Sequence, residues 1–224
     1  MLAPTRLSIL CSAFFCCFFV MPFNLAANSL FEQFTQQEQW EDKHQLGLQL
    51  ISEGSLSNEQ TLDVYMQLAD LALEKDLFSK AIENYQKVEL STSFDTNPER
   101  FFRAIKMQGV TYYYQGLMQQ ALIAYLKAIP FADKMPDPLA KANLMSNIGL
   151  AYFDMFNLNQ ALNYYKQAKD IYEQHGSEQD KADILHNIAG IYIRLSSYEV
   201  ALEMYRETLN IFQSLGDMDG VAQS

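Results

Sequence analysis

The sequence predicts an all-α fold, a solenoid of stacked helical hairpins, and three observations carry that prediction. Alanines stand at 81, 121, 161 and 201, a constant step of 40, and each is followed four residues later by Tyr85, Tyr125, Tyr165 or Tyr205. Twelve residues before each alanine stands a small residue: Ala69, Gly109, Gly149 or Ala189. The 224 residues include only nine glycines and six prolines, too few for many short strands joined by tight turns. A repeated unit that cannot bury its apolar face alone must stack on its neighbours.

The elements follow in chain order. Met1 to Arg6 carries one positive charge and no acid, Leu7 to Phe23 is almost unbroken apolar sequence, and Asn24-Leu25-Ala26-Ala27 brings small residues at the end. That is the order of a secretory signal, residues 1–27, cleaved after Ala27 or one residue earlier. The apolar run lies at the bottom of the length range that spans a bilayer, about 17–25 residues, so an uncleaved anchor is the alternative. Cys11, Cys16 and Cys17 all lie inside this segment, preceded by Leu10, Phe15 and Cys16 and not by the small residue of lipoprotein processing. The mature chain then has no cysteine, hence no disulfide and no thiolate metal site. Arg6 leaves with the signal, so 15 basic residues face 27 acids and the charge falls from −11 to −12.

Residues 28–58 read as helical, from Leu30-Phe31 through Trp40 to Leu50-Ile51. Lys43, Gly47 and Leu50 fall at the offsets of the alanine–tyrosine–small columns, which makes this stretch a degenerate first hairpin or cap with Trp40 as a core plug.

From 59 to 224 the repeats take over. Val88, Ala128, Ala168 and Thr208 lie seven residues after the column alanines, and Ala72, Tyr112, Tyr152 and Tyr192 lie three after the small residues. Offsets of three, four and seven share one stripe of a helix, so each repeat is two helices with a common apolar face. The small residue of the first helix allows close approach, and the tyrosine of the second fills the space beside its alanine. Turn signals separate the two helices at Glu74-Lys75-Asp76, Gln115-Gly116, Asn157 and Ser196-Ser197. Between repeats stand the segment ending at Pro98, the run Met135-Pro136-Asp137-Pro138, and His175-Gly176-Ser177, all stop-and-start signals. Gly176 and Ala182 recur as Gly216 and Ala222, with no polar cap behind them. The array is therefore expected to hold four repeats and the start of a fifth, as a piece of a longer protein.

Counted from Leu62, Phe102, Ala142 and Ala182, the columns above are repeat positions 8, 11, 20, 24 and 27, and there they resemble the signature of the tetratricopeptide repeat family. The resemblance covers roughly residues 59 to 224. The period of 40 exceeds the family's common unit of about 34. In this it is similar to the extended repeats of kinesin light chains and bacterial peptide-sensing regulators, which also occur in exported sensory regions placed before bacterial signalling domains.

The resemblance implies an α-α superhelix whose first helices line a concave groove with positions 2, 5, 6, 9, 12 and 13. Position 6 is then Gln67, Met107, Asn147 and Asn187, of which the two asparagines match half of an asparagine ladder that holds ligand backbone through amide donors and acceptors. Arg103 and Lys106, one helical turn apart at positions 2 and 5, would take a carboxylate. Tyr113, Tyr114 and Phe153 would form an aromatic floor, with Asp154, Asp183, His186 and Arg194 as a polar wall. The alternative for the amides is that they tie neighbouring helices together.

Catalysis has no support in the residues. His44, His175 and His186 lack metal-ligand spacing and a neighbouring nucleophile, no glycine-rich phosphate loop exists, and the carboxylates are scattered. The reading names no catalytic residue, no metal and no cofactor. A net charge of −11 disfavours nucleic acid, since a duplex would repel most of such a surface. A membrane enters only through an uncleaved N-terminal segment or a later one. The expected function is an exported scaffold, periplasmic in a bacterium, that binds a peptide or protein segment in its groove. The alternative is the sensory region of a membrane signalling protein, a diguanylate cyclase or histidine kinase, with its output domain farther on. A small-molecule or glycan receptor is a third class.

Overall fold

In the computed structural model the described residues are 29–54 and 56–223; the predicted export segment lies outside them. Every regular element among them is an α-helix. Residues 29–36 form α1, followed by α2 (Trp40–Glu53), α3 (Asn58–Glu74), α4 (Phe78–Ser91), α5 (Pro98–Tyr114) and α6 (Met118–Ala132). Then come α7 (Pro138–Asp154), α8 (Leu158–His175), α9 (Glu178–Arg194), α10 (Tyr198–Leu215) and the short α11 (Met218–Gln223). No helix among the described residues is long and apolar enough to cross a membrane. The chain divides into two compact units, the first ending at Asn84 and the second beginning at Tyr85.

In the first unit, Phe34, Leu50, Val64 and Leu68 form a buried cluster from α1, α2 and α3. Trp40 is not the plug the sequence suggested. It stays half-buried and stacks on His44, ring centroids 4.9 Å apart, while Phe34 is fully buried. The helical offset explains the swap, because Trp40 opens α2 at the edge of the cluster.

In the second unit the hairpins α5–α6, α7–α8 and α9–α10 keep the sequence period: their first helices start at Pro98, Pro138 and Glu178, 40 residues apart each time. Local chemistry sets those starts. Asn97 and Asp137 cap α5 and α7 through their side chains, each with proline at the first helical position, where the missing N–H costs nothing. Ser177 caps α9 in a reciprocal box with Asp180. Each hairpin turns at one left-handed residue, and Asp76, Gly116, Phe156 and Ser196 take φ of 57°, 78°, 60° and 59°.

Packing follows the columns. Ala81, Ala121, Ala161 and Ala201 are fully buried, as are Val88, Ala128, Ala168 and Thr208. Gly109 and Gly149 are the seats of tyrosines from their own hairpins: a Cβ on Gly109 would lie 2.4 Å from the Tyr125 ring, and one on Gly149 2.5 Å from Tyr165. Those contacts place the second helix directly on the first. Ile184 and Ile188 of α9 cluster with Tyr165, as Leu144 and Ile148 of α7 do with Tyr125, so these two tyrosines are enclosed by the hairpin that follows.

Candidate functional site

The residues singled out for the groove all lie in the second unit, on α5, α7 and α9. These helices show the same alternation of buried, half-buried and exposed positions through their first ten repeat residues. Because α5 touches α7 and α7 touches α9, the three first helices present one shared face. Arg103 is exposed and Lys106 half-buried on α5; Asn147 and Phe153 are half-buried on α7; His186 and Asn187 are half-buried on α9; Tyr113 is half-buried near the end of α5. Asn147 and Asn187 thus occupy the same level of adjacent helices. The two cations of α5 stand beside the helix of Asn147, with α7 between them and Asn187.

One end of this face is closed by contacts between side chains. The Tyr113 hydroxyl donates to Asp154 Oδ2 at 2.5 Å, linking α5 to α7. Burial, then the bond to Asp154, drives the Tyr113 pKa well above its ordinary value, so the phenol stays a donor at neutral pH. One hairpin further on, the Arg194 guanidinium lies 5.0 Å over the Phe153 ring, linking α9 to α7. Position 12 of one repeat therefore meets position 13 of the next in both pairs. Two of the three aromatics read as a floor, Tyr113 and Phe153, are thus engaged by neighbouring side chains.

The same guanidinium lies 4.8 Å over Phe156, a residue the sequence reading did not single out. Phe156 is 71% exposed and sits in the left-handed backbone region, where a bulky side chain is strained by about 1–3 kcal/mol. The 40-residue register carried the signal, since the equivalent positions are Asp76, Gly116 and Ser196. An exposed aromatic held there by a cation has the character of a contact residue at the edge of the face.

The middle of the face is different. No side-chain hydrogen bond joins Asn147 or Asn187 to another described residue, so among these residues the amides do not tie helices together. The Lys106 amine lies 6.0 Å over the Phe102 ring, and burial followed by the charge of Arg103 lowers its pKa. Burial also lowers the pKa of His186, against the pull of Asp183, and Nδ1 of this histidine is buried without a hydrogen-bond partner. His186 turns its ring edgewise to Tyr205 of α10, 5.1 Å away. At the other end Asn143 accepts from the Tyr172 hydroxyl at 2.7 Å, and Asp183 accepts from Gln179 at 3.2 Å. A band of half-buried donors and acceptors thus runs between two edges whose polar groups are matched. Such a band can hold main-chain amides of a ligand, and Lys106 with Arg103 can take a carboxylate.

Comparisons with known proteins agree with this architecture. The family profile described as tetratricopeptide repeat matches residues 103–174 and 140–214. No curated protein matches the chain in sequence. Among solved structures, a signal transduction ATPase with a tetratricopeptide repeat sensor from Pyrococcus horikoshii superposes with a TM-score of 0.73 at 20% identity, over 88% of this chain and 31% of that one. A Rap protein complexed with competence and sporulation factor gives 0.66 at 13% identity, over 87% and 52%. A putative kinesin light chain with tetratricopeptide-like repeats from Podosopora anserina gives 0.66 at 16% identity, over 86% and 97%. The chain thus spans about a third of the first of these relatives and half of the second.

Proposed function

Because the chain belongs to the tetratricopeptide repeat family, we propose that it is a non-catalytic scaffold that binds a peptide or protein segment along the shared face of α5, α7 and α9. The observation that carries this reading is the pair Asn147 and Asn187: same level, adjacent helices, half-buried, and engaged by no other described side chain or backbone group. Their amides are open to solvent and offer donors and acceptors that a ligand backbone can take in place of water. Lys106 and Arg103 would receive an acidic side chain or a terminal carboxylate, and Phe156 with Arg194 would form the rim. The order of Arg6, the apolar run and Ala26-Ala27 supports an extracytoplasmic location, a bacterial periplasm.

The test uses the purified chain to capture extracytoplasmic partners, whose contacting segment is mapped to a peptide and titrated. Asn147→Ala with Asn187→Ala should weaken that peptide, since each orphaned ligand group costs about 1–3 kcal/mol. Circular dichroism should show an unchanged fold, because neither residue belongs to the packing columns. Equal affinity for wild type and double variant removes the reading.

A second reading has one observation in its favour: in the Pyrococcus horikoshii relative the repeats are the sensor of a larger signalling protein. This chain would then be the sensory region of a membrane signalling protein, a cyclase or histidine kinase. Detecting the repeats in cells as part of a longer polypeptide with such an output domain would decide for it.

A further inference from the structure

The first unit carries an amine that its fold does not require. Lys43 stands in α2 at the register of Ala81, Ala121, Ala161 and Ala201, each fully buried, and is itself only 7% exposed. Its Nζ lies 4.9 Å over the Phe34 ring and makes no ion pair or hydrogen bond with another described residue. Burial lowers its pKa, and the carboxylates of Glu74 and then Glu38 pull it back without closing on the amine. The side chain lines a cleft of about 510 Å³ that lies wholly within this unit. Its stem is buried while the amine opens on this cleft, where the charge of a ligand anion can meet it.

The remaining lining narrows what that anion can be. Glu38, Asp70 and Glu74 put three carboxylates around the cleft, Lys75 adds a second amine to that of Lys43, Gln67 offers an amide, and Leu71 is its one apolar wall. With three acids against two amines, a simple anion would meet net repulsion even as its charge met Lys43. A ligand with a positive group beside its carboxylate satisfies both. The volume suits a small molecule, and the scarcity of apolar wall argues against an aromatic or aliphatic one.

We propose that this cleft is a binding site for a small zwitterion, a free α-amino acid, whose carboxylate pairs with Lys43 and whose ammonium is taken by Glu74 and Glu38. The site is separate from the face of α5, α7 and α9 and does not depend on it.

The full chain is screened against the twenty free L-amino acids by thermal shift, and any that raises the melting temperature is titrated calorimetrically. At least one should bind. Its N-acetyl derivative and its C-terminal amide should each bind at least tenfold more weakly. Lys43→Met keeps the stem and removes the charge; it should lose at least tenfold in affinity while the unliganded protein melts no lower. Glu74→Gln, at the end of α3, should weaken binding severalfold and serves as the decisive variant if Lys43→Met fails to fold. Asn147→Ala with Asn187→Ala should leave amino-acid binding unchanged, which separates this result from the peptide-binding one. The proposal is overturned if no amino acid binds, if the N-acetyl form binds as tightly as its parent, or if Lys43→Met or Glu74→Gln retains full affinity.

Discussion

Hairpins α7–α8 and α9–α10 follow the same register, yet the tyrosine at the same column has a different fate in each. Tyr165 is 1% exposed, with its ring on Gly149 and beneath Ile184 and Ile188 of the next hairpin. Tyr205 is half-buried, faces Ala189 in the register of Gly149, and presents its ring to His186. Alanine in place of glycine is not the cause, since Tyr85 shares its register with Ala69 and is fully buried. What differs is the neighbour. Tyr125 and Tyr165 are enclosed by α7 and α9, whereas α10 is followed among the described residues only by the six-residue α11, and its Tyr198, Val200 and Leu202 are 62%, 42% and 51% exposed. A repeat's own residues make the hairpin; the next repeat supplies most of the burial.

The sharpest way to break this comparison is to truncate both tyrosines. Tyr165→Ala should cost about 3–5 kcal/mol, the range for emptying a large aromatic site in a packed interior. Tyr205→Ala should cost less than half as much, measured by urea unfolding of both variants in parallel. Equal losses would mean that the following hairpin contributes little to burial.

A smaller effect is expected from overfilling the tyrosine's seat. Gly149→Leu drives a side chain into the Tyr165 ring and should cost about 1–3 kcal/mol, even though leucine is the better helix former by nearly 1 kcal/mol. Ala189→Gly in the last hairpin loses helix propensity and one buried methyl and should cost about 2 kcal/mol. At about 2–4 °C per kcal/mol for a chain of this size, differential scanning calorimetry reads both losses. A melting temperature raised by Gly149→Leu would show that the glycine is not a seat.

The smallest effect sharpens the contrast at position 5, where the last hairpin has His186 and the others Met66, Lys106 or Ser146. Burial holds the folded-state pKa of His186 below its ordinary value of 6.5. The folded protein therefore binds fewer protons than the unfolded chain in that window. Its contribution to stability is present above pH 6.5 and is lost as the pH falls through the folded-state pKa. His186→Gln should accordingly make the stability curve flatter between pH 7 and 5. An unchanged slope would show that the histidine does not titrate differently in the fold.

Much of the molecule was legible before any coordinates. Helix offsets of three, four and seven, repeated every 40 residues, determined the hairpins, their columns and their turns, because a helix places residues on a face by chain distance alone. Pro98, Pro138 and Ser177 marked helix starts for equally local reasons, the capping of N–H groups that the helix leaves unpaired. The candidate site was legible as a set of positions and not as a set of interactions. That Tyr113 is bonded to Asp154, that Arg194 covers both Phe153 and Phe156, and that Asn147 and Asn187 engage no other described residue all depend on how side chains from different helices reach one another. The same is true of Lys43, which its column marked only as a degenerate alanine. Sequence spacing determines which face a residue occupies, but the partner it meets there is chosen by the distance between helices, and only the tertiary structure sets that distance.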